Sequence, residues 1–365
     1  MIKVGIAVGT RPEAIKICPL ILELKEKGIE CHLIMSGQHV DLVTDVLETF
    51  GIQPHINLSI SNKDGNLGSY FSDLLYGFSK YLADNNYDLF LVHGDTLTAT
   101  AAALACYLRQ VKVGHVESGL RTSNIFNPFP EEGNREIIDI LSTFKFAPTQ
   151  LAYSNLVNKD FSIVTGNTGI DAVRTMYQVF KNNKFNLKRF LDDEYHLKER
   201  NYLLVTLHRR ESFGAYHQRI LESIKRVSNK IEIVYILHPN PSIKNLALSE
   251  LSNHQNIRLL DPQSYSNFFY LMLGARAIVT DSGGIQEEAF ALGIPLFVAR
   301  DNTERPEILA SNCNHLVGDN QANLVGLVEK MLKNDLEQPR GFQVTEIGDG
   351  LASSRIASFI LKNMD

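Results

Sequence analysis

Short runs of apolar, often β-branched residues alternate along this chain with longer segments of helical periodicity. This alternation predicts parallel sheets whose two faces are covered by helices. In the first half the predicted strands are Lys3–Val8, Glu30–Met35, Leu89–Val92, Lys112–Val116 and Ser162–Val164. The predicted helices between them are Pro12–Glu26, Val40–Phe50, Asn66–Ala83 and Thr98–Arg109.

The second half repeats this rhythm without repeating residues. Its predicted strands are Tyr202–Thr206, Ile233–Leu237, Asn256–Leu260, Ala277–Thr280 and Leu296–Ala299. Its predicted helices are Tyr216–Ser228, Ser266–Leu273 and Gln286–Leu292. The fold class predicted from both halves is α/β, with two Rossmann-like, doubly wound domains.

The chain has 365 residues, which is enough for two domains of about 100–200 residues. We place the boundary just after the strand end at Thr165–Thr168. The N-terminal domain is then 1–168, the C-terminal domain 169–348, and a final helix in 349–365 packs back on the first domain. The charge-rich segment Phe185–Asn201 fits either an interdomain linker or a solvated helix inside the second domain.

Composition disfavours several classes of protein. The net charge is −5 and there is no basic tract, which disfavours a nucleic-acid partner. No apolar run approaches the roughly 20 residues of a membrane span, so we expect no membrane partner. The first residues form a strand pattern rather than a secretory signal. The four cysteines lie far apart, which favours a reduced, cytoplasmic setting over a disulfide framework or zinc site.

No cofactor and no metal are predicted. The GxGxxG glycines of dinucleotide-binding proteins are missing after the first strand, which disfavours a nicotinamide cofactor. The histidines lack HxxxH or HExxH spacing, and the carboxylates form no calcium-loop pattern.

Polar residues gather where strands end, which is where doubly wound sheets bind ligands. After Ala277–Thr280 the chain reads Asp281-Ser282-Gly283-Gly284, and a helix follows. Free N–H groups at such a helix start can bind a diphosphate, and Glu288, one turn later, can accept hydrogen bonds from ribose hydroxyls. An ordinary helix cap with a tight turn has the same residues, so this alternative stays open.

Three acids follow strand ends or loops in the first half: Asp95, Glu117 and Glu131. We expect Glu131 in an irregular, proline-bounded loop. Carboxylates crowded together and partly buried have raised pKa values and can exchange protons near neutral pH. Each acid taken singly is more often a helix cap or an ion-pair partner.

Basic residues at the same predicted edges can bind an anion. They are Arg11 and Lys16 after the first strand, His208 with Arg209 and Arg210 after Tyr202–Thr206, His238 after Ile233–Leu237, and Arg305. Arginine beside a strand end suits a diphosphate, because its guanidinium makes paired hydrogen bonds. Surface cations and a satisfied histidine remain the alternative explanation.

Together these motifs resemble the bacterial non-hydrolysing UDP-N-acetylglucosamine 2-epimerases over nearly the whole chain. The matching blocks are Gly9–Lys16, His93–Thr96, Gly114–Arg121, Pro130–Arg135, Thr165–Asp171, His208–Gly214, Thr280–Glu288 and Thr303–Glu307. The resemblance implies a GT-B-like fold with a cleft between the two domains. It also implies interconversion of UDP-GlcNAc and UDP-ManNAc, a homodimer, and a supply of ManNAc for surface polysaccharide.

The resemblance also implies roles for matching residues. The substrate site would include Arg11, Lys16, Asp95, Glu117 and His208. The uridine and diphosphate would be held by Gln263, Phe268, Ser282, Gly283, Gly284, Glu288 and Arg305. The implied route eliminates UDP to leave 2-acetamidoglucal and then adds UDP back with protonation on the opposite face of C2. Asp95, Glu117 and Glu131 are the candidate proton carriers, and His208, Arg11 and Ser282–Gly284 would stabilise the departing UDP.

The sequence departs from this family where many members bind a second UDP-GlcNAc as activator. Gln38 and His39 of that motif are present, and Gly65-Asn66-Leu67 lacks an expected glutamine. The other motif positions are replaced by Val40, Leu42, Val43, Thr44 and Asp45. Arg209 and His238, also associated with that site, remain. A possible regulatory site therefore consists of Gln38, His39, Arg209 and His238.

Two other enzymes and a binding protein are alternatives. A hydrolysing epimerase releases ManNAc and UDP, but it tends to begin Gly-Thr/Ser-Arg-Ala where this chain has Pro12. A GT-B glycosyltransferase shares the nucleotide motif, but it needs an acceptor surface, and no apolar or basic stretch suggests one. A non-catalytic sensor would have lost the acids of the first domain, which this chain retains.

Overall fold

The computed structural model describes residues 2–62, 65–182, 186–207, 215–301, 306–310, 312–318, 321–336 and 339–364. Three predicted site residues, His208, Arg209 and Arg305, lie outside the described residues. The chain divides into two compact units: Met1–Ala172 together with Ile347–Asp365, and Val173–Glu346. These divisions fall a few residues from the boundaries expected after 168 and 348.

The described strands belong to two parallel sheets. In chain order they are β1 (Lys3–Val8), β2 (Glu30–Met35), β3 (Ile56–Asn57), β4 (Leu89–His93), β5 (Lys112–Val116), β6 (Phe144–Ala147), β7 (Ser162–Val164), β8 (Tyr202–Thr206), β9 (Glu232–Ile236), β10 (Ile257–Leu260), β11 (Ala277–Thr280), β12 (Leu296–Val298) and β13 (Asn314–Leu316).

Helices connect most of these strands. They are α1 (Arg11–Glu26), α2 (Val40–Thr49), α3 (Leu67–Asp84), α4 (Leu97–Leu108), α5 (Glu131–Leu141), α6 (Gln150–Ser154), α7 (Thr168–Asn182), α8 (Leu187–Tyr195), α9 (Ala215–Ser228), α10 (Pro241–Leu251), α11 (Tyr265–Gly274), α12 (Gly283–Ala291), α13 (Gln321–Leu332) and α14 (Ala352–Met364). A short 3-10 helix covers Pro306–Ala310. No helix among the described residues is long and apolar enough to cross a membrane.

Both sheets have the Rossmann strand order. Among the described residues, the first unit has a seven-stranded sheet ordered β3-β2-β1-β4-β5-β6-β7, and the second a six-stranded sheet ordered β10-β9-β8-β11-β12-β13. In each, the first strand lies between the second and the fourth, so the connections leave it in opposite directions. The carboxyl ends of β1 and β4, and of β8 and β11, are therefore the places where a ligand is expected. The predicted α/β class with two Rossmann-like domains is confirmed.

The first unit is held together by apolar strands between helices. Ile6 on β1 pairs with Leu33 on β2 and Leu91 on β4, and all three side chains are buried. A buried parallel strand is a continuous apolar run, which explains why β1, buried from Val4 to Val8, begins and ends where the sequence predicted. The bounds of β2, β5 and β7 also match the prediction.

The C-terminal helix α14 belongs to this first unit. It packs against α1, and the Asp171 carboxylate accepts hydrogen bonds from the Ala352 and Ser353 amides at its first turn, at 3.1 and 2.5 Å. The ring of Phe359 packs edge-on against Phe144 and Phe146 of β6. Capping of the free amides and burial of the apolar face both stabilise the helix there.

One segment differs from the sequence-based expectation, and for another the structure decides between the two alternatives. Residues 130–135, expected as an irregular loop, form the start of α5, whose helix begins at Glu131 directly after Pro130. Acidic residues in a first turn are favoured by the helix dipole, and this signal outweighs the neighbouring prolines. In the segment Phe185–Asn201, α8 is a helix of the second unit that packs against α11, so the linker alternative is wrong.

Candidate active site

A buried carboxylate joins the ends of β1 and β4. Glu13, 3% exposed on the first turn of α1, accepts hydrogen bonds from the Gly9 and Thr10 amides, at 3.1 and 2.7 Å. The Thr10 hydroxyl, at 2.8 Å, and the Thr96 hydroxyl, at 2.7 Å, also donate to it. Burial raises the pKa of Glu13, and these hydrogen bonds oppose that rise. Glu13 therefore links the segment after β1 to the segment after β4 at the carboxyl edge of the sheet.

Asp95 follows β4 and is held by α5. Its Oδ2 accepts from Arg135 Nε at 2.8 Å and from Nη2 at 2.6 Å, and its main-chain carbonyl accepts from Asn134 at 2.8 Å. Burial raises the pKa of Asp95, the Arg135 charge lowers it, and the Glu117 charge raises it again. The net direction is upward, which is the shift that suits a carboxyl group to proton transfer near neutral pH.

Glu117 follows β5 in a backbone conformation that is uncommon for a non-glycine residue, with φ +71°. A left-handed conformation of this kind costs about 1 kcal/mol or more, and such strain often marks functional sites. Its carboxylate forms an ion pair with Lys16 of α1, and His93 Nε2 lies 3.8 Å from Oε2. Lys16 lowers the pKa of Asp95, so Lys16, Glu117 and Asp95 interact electrostatically.

Glu131 is the first residue of α5, one helical turn before Arg135. Its Oε2 atom is buried, and among the described residues it has no hydrogen-bond partner. A buried carboxylate oxygen without a partner is costly, unless a ligand or water completes its shell. Of the three predicted acids, the structure brings Asp95 and Glu117 into one charged cluster. It places Glu131 on the helix that holds Asp95.

Sequence reasoning did not single out several residues that build this site. They are Glu13, which joins two strand ends; Arg135 and Asn134, which hold Asp95; and Glu132, which pairs with Arg135 at 3.0 Å. All four lie inside sequence blocks that the resemblance covered. The motifs therefore indicated where these residues belong in the chain but not which side chains they contact. The signal that was missed is the acidic first turn of α5, since a helix that begins at Glu131 brings Glu132 one turn from Arg135.

The second unit places the Ser-Gly-Gly motif at its switch point. Ser282 is the N-cap of α12, which begins at Gly283 directly after β11, as predicted for a turn that opens a helix. No described atom lies within 4 Å of a Cβ built on Gly284, so space is open beside the first helical turn. Glu288 lies one turn later and is 9% exposed. The Ser282 amide donates to the Thr280 hydroxyl at 3.0 Å. The first amides of α12, the positive helix end and the open space together can hold an anion.

The other predicted nucleotide contacts lie in the loop after β10 and on α11, in the same unit. Gln263 accepts a hydrogen bond from the Tyr195 hydroxyl at 2.7 Å and donates one to the Asp261 carbonyl at 2.6 Å. These bonds hold its side chain in place. Phe268, on α11, is 9% exposed.

The remaining predicted residues are divided between the units. Arg11 begins α1, and Gln38 and His39 follow β2 in the first unit. His238 follows β9 in the second unit and accepts a hydrogen bond from the Asn240 amide at 3.0 Å. Burial lowers the pKa of both His39 and His238, which favours their neutral forms. Among the described residues no group of three or more His, Cys, Asp or Glu side chains could hold a metal ion.

Two Rossmann-ordered sheets, each with polar side chains at its switch point, place the chain in the class of α/β proteins that have the strand order of nucleotide-binding folds. The family model described as UDP-N-acetylglucosamine 2-epimerase matches residues 22–361. The chain therefore belongs to the UDP-N-acetylglucosamine 2-epimerase family, a family of isomerases, as the sequence resemblance predicted.

Relatives match over their full length. The UDP-N-acetylglucosamine 2-epimerase of Escherichia coli K12 is 38% identical over 371 residues, covering 99% of each chain. That of Campylobacter jejuni is 38% identical over 373 residues, covering 99% of this chain and 97% of the relative. The crystal structure of the Neisseria meningitidis enzyme bound to UDP-GlcNAc has a TM-score of 0.90 and 36% identity, covering 99% of this chain and all of that one.

Proposed function

We propose that this protein interconverts UDP-GlcNAc and UDP-ManNAc by the non-hydrolysing route. The observation that carries the proposal is the charged cluster of Asp95, Glu117 and Lys16 at the carboxyl edge of the first sheet, with the raised pKa of Asp95. UDP-GlcNAc is the ligand of the Neisseria meningitidis relative. UDP-GlcNAc and UDP are the ligands of the Methanocaldococcus jannaschii relative, which is 33% identical with a TM-score of 0.83.

The proposed reaction is an anti elimination of UDP followed by its re-addition with the opposite configuration at C2. A carboxylate removes the C2 proton, the C2–H electrons form the C1–C2 double bond, and the C1–O bond breaks with its electrons leaving on UDP. The product of this step is 2-acetamidoglucal. UDP then adds back at C1 while a carboxyl group delivers a proton to the opposite face of C2. No oxidant is needed, because nothing is oxidised overall.

The residues divide into two sets in this proposal. Asp95, Glu117 and Glu131 exchange the C2 proton, and Lys16 stabilises the charge on Glu117. The helix start at Ser282–Gly284 stabilises UDP as it departs, Glu288 accepts from the ribose, and Gln263 and Phe268 hold the uridine. Arg11 and the residues outside the described ranges, His208 and Arg305, complete the predicted set as contacts to the diphosphate.

The non-hydrolysing route is favoured over hydrolysis by the start of α1. Hydrolysing relatives tend to carry Ala where this chain has Pro12, and here Pro12 lies in the first turn, beside the capping box that Thr10 and Glu13 form. The proposal also includes a homodimer working in the cytoplasm and supplying ManNAc units for surface polysaccharide. Light scattering on the purified protein tests the dimer.

The test is incubation of the protein with UDP-GlcNAc in D2O, followed by proton NMR. We expect UDP-ManNAc to form and deuterium to enter C2 in both sugars. Release of free ManNAc together with UDP would replace the proposal by the hydrolysing reaction, and unchanged substrate would refute both.

A matched pair of variants ties the reaction to the cluster. Asp95→Asn is expected to abolish C2 exchange. The Kd for UDP, measured by calorimetry, should stay within about threefold of wild type, because the residues proposed to bind UDP belong to the other unit. Asp84→Asn, on the exposed end of α3, makes the same chemical change and should leave exchange unaltered. Exchange that survives in Asp95→Asn would remove Asp95 from proton transfer.

A further inference from the structure

A buried histidine beside the candidate active site has no role in the chemistry above. His115, in the middle of β5, is 0% exposed, so it cannot touch a substrate directly. Its ring lies between two partners. Nδ1 is 2.5 Å from Asp139 Oδ1 of α5, and Nε2 is 2.7 Å from the main-chain carbonyl of Gly94.

These contacts define how the ring is held. A carbonyl oxygen only accepts, so Nε2 carries a proton and donates it to Gly94. Asp139 also accepts from the Gly119 amide at 3.1 Å and from Arg121 Nη2 at 2.5 Å. Burial would raise the pKa of Asp139, but its contacts with His115 and Arg121 lower it overall. Asp139 is therefore fixed by three neighbours, and through Nδ1 it holds the ring against the Gly94 carbonyl.

The Gly94 carbonyl is the oxygen of the peptide bond that leads into Asp95. The carbonyl on the other side of Asp95 is held by Asn134 at 2.8 Å, and its carboxylate is held by Arg135. Gly94 itself has φ +65°, a conformation open to few residues other than glycine, so the turn needs its own restraint. Asp95 is thus restrained on three sides, and α5 supplies Asn134, Arg135 and, through Asp139, the support for His115.

We propose that His115 is a positioning residue for the reaction. Bound to Asp139 through Nδ1, its ring restrains the Gly94 carbonyl through Nε2 and thereby keeps the Asp95 carboxylate in the geometry that proton transfer at C2 requires. This inference rests on the proposed function. A displacement of about 1 Å at a reacting group can cost on the order of 100-fold in rate, so loss of this restraint should lower kcat more than it weakens binding.

Two conservative variants separate positioning from packing. In His115→Gln the side-chain amide reaches about as far as Nε2 and can still donate to Gly94, whereas the contact with Asp139 is lost. In His115→Asn the shorter amide reaches about as far as Nδ1 and can donate to Asp139, whereas the bond to Gly94 is lost. We measure kcat and KM per mole of UDP-binding sites, together with thermal unfolding.

We expect kcat of His115→Asn to fall by roughly 10- to 100-fold with KM within about threefold, and His115→Gln to keep kcat within about fivefold of wild type. Equal kcat values for the two variants, per folded molecule, would overturn the inference. In that case His115 serves only the buried pair with Asp139. Wild-type protein without C2 exchange would instead refute the proposed function itself.

A measurement on the wild-type protein keeps the inference testable if either variant fails to fold. In a spectrum of protein labelled with 15N in its histidine rings, His115 Nε2 should carry a slowly exchanging proton, because it is buried and hydrogen-bonded to Gly94. The absence of any histidine Nε2 with such a proton would overturn this hydrogen bond and, with it, the proposed restraint.

Discussion

Removing the positive charge of Arg135 should move the pH dependence of the reaction. Arg135 Nε and Nη2 lie 2.8 and 2.6 Å from Asp95 Oδ2, and this charge opposes the rise in the pKa of Asp95 that burial causes. In Arg135→Gln that opposition disappears, while burial and the Glu117 charge, which both raise the pKa of Asp95, remain. The pKa of Asp95 should therefore rise further.

The size of the change follows from the separation of the charges. Two unit charges about 4 Å apart interact with about 4 kcal/mol at an effective dielectric constant of 20, which corresponds to about three pKa units. Lys16 still lowers the pKa of Asp95, and water enters the space left by the guanidinium. We therefore expect a rise of about 1–2 units. Protein stability should fall by about 3–5 kcal/mol, because a partly buried ion pair loses one partner.

The sign of the pH shift does not depend on the role of Asp95. If Asp95 must be ionised to remove the C2 proton, activity is lost as pH falls through its pKa, and a higher pKa moves that acid limb to higher pH. If Asp95 must be protonated to deliver a proton, the alkaline limb moves to higher pH. In both cases the limb that Asp95 controls shifts upward by about 1–2 pH units.

The assay is the rate of C2 deuterium exchange from pH 5 to about pH 10 for wild type, Arg135→Gln and Arg135→Lys. Lysine keeps the charge and loses the paired hydrogen bonds. The limb of the pH–rate profile that Asp95 controls should therefore stay within about half a pH unit of wild type in Arg135→Lys, although kcat falls in both variants. An unshifted limb in folded Arg135→Gln, or an equal shift in Arg135→Lys, would refute the reasoning.

Three further predictions follow from other contacts. Glu13→Ala should lower the free energy of unfolding in urea by about 3–5 kcal/mol, because four donors at a buried site lose their acceptor. Gly284→Ala should raise stability by about 0.4–1 kcal/mol but raise the Kd for UDP at least tenfold in calorimetry, because its methyl group enters the open space. Asp171→Ala should lower stability by about 1–2 kcal/mol and expose α14 to limited proteolysis, because its first amides lose their cap.

Each of these changes has a matched control. Glu23→Ala removes a partly exposed ion pair on the same helix as Glu13 and should cost less than about 1 kcal/mol. Gly326→Ala, on α13, also meets no described atom within 4 Å and should stabilise the helix without changing UDP binding. Asp160→Ala, at an exposed position, should leave α14 protected. A variant that behaves like its control contradicts the contact assigned to it.

Much of the fold was determined by the sequence itself. The strands β1, β8 and β11 occupy the predicted residues, because a strand buried on both faces is a continuous apolar run that turn residues interrupt. The start of α12 at Ser282-Gly283 was equally readable, since its signal is local. The start of α5 was not, because the prolines before Glu131 favoured a loop in any local interpretation.

The partners of the candidate catalytic residues were decided only by the tertiary structure. Glu13 binds Thr96, 83 residues away, because β1 lies beside β4 in the sheet. Arg135 meets Asp95 across 40 residues, and His115 meets Asp139 across 24, because α5 packs against the carboxyl edge. Periodicity shows which face of a helix is buried but not which neighbour covers it. That choice depends on strand order and packing, and so the charges that raise or lower the pKa of Asp95 depend on them too.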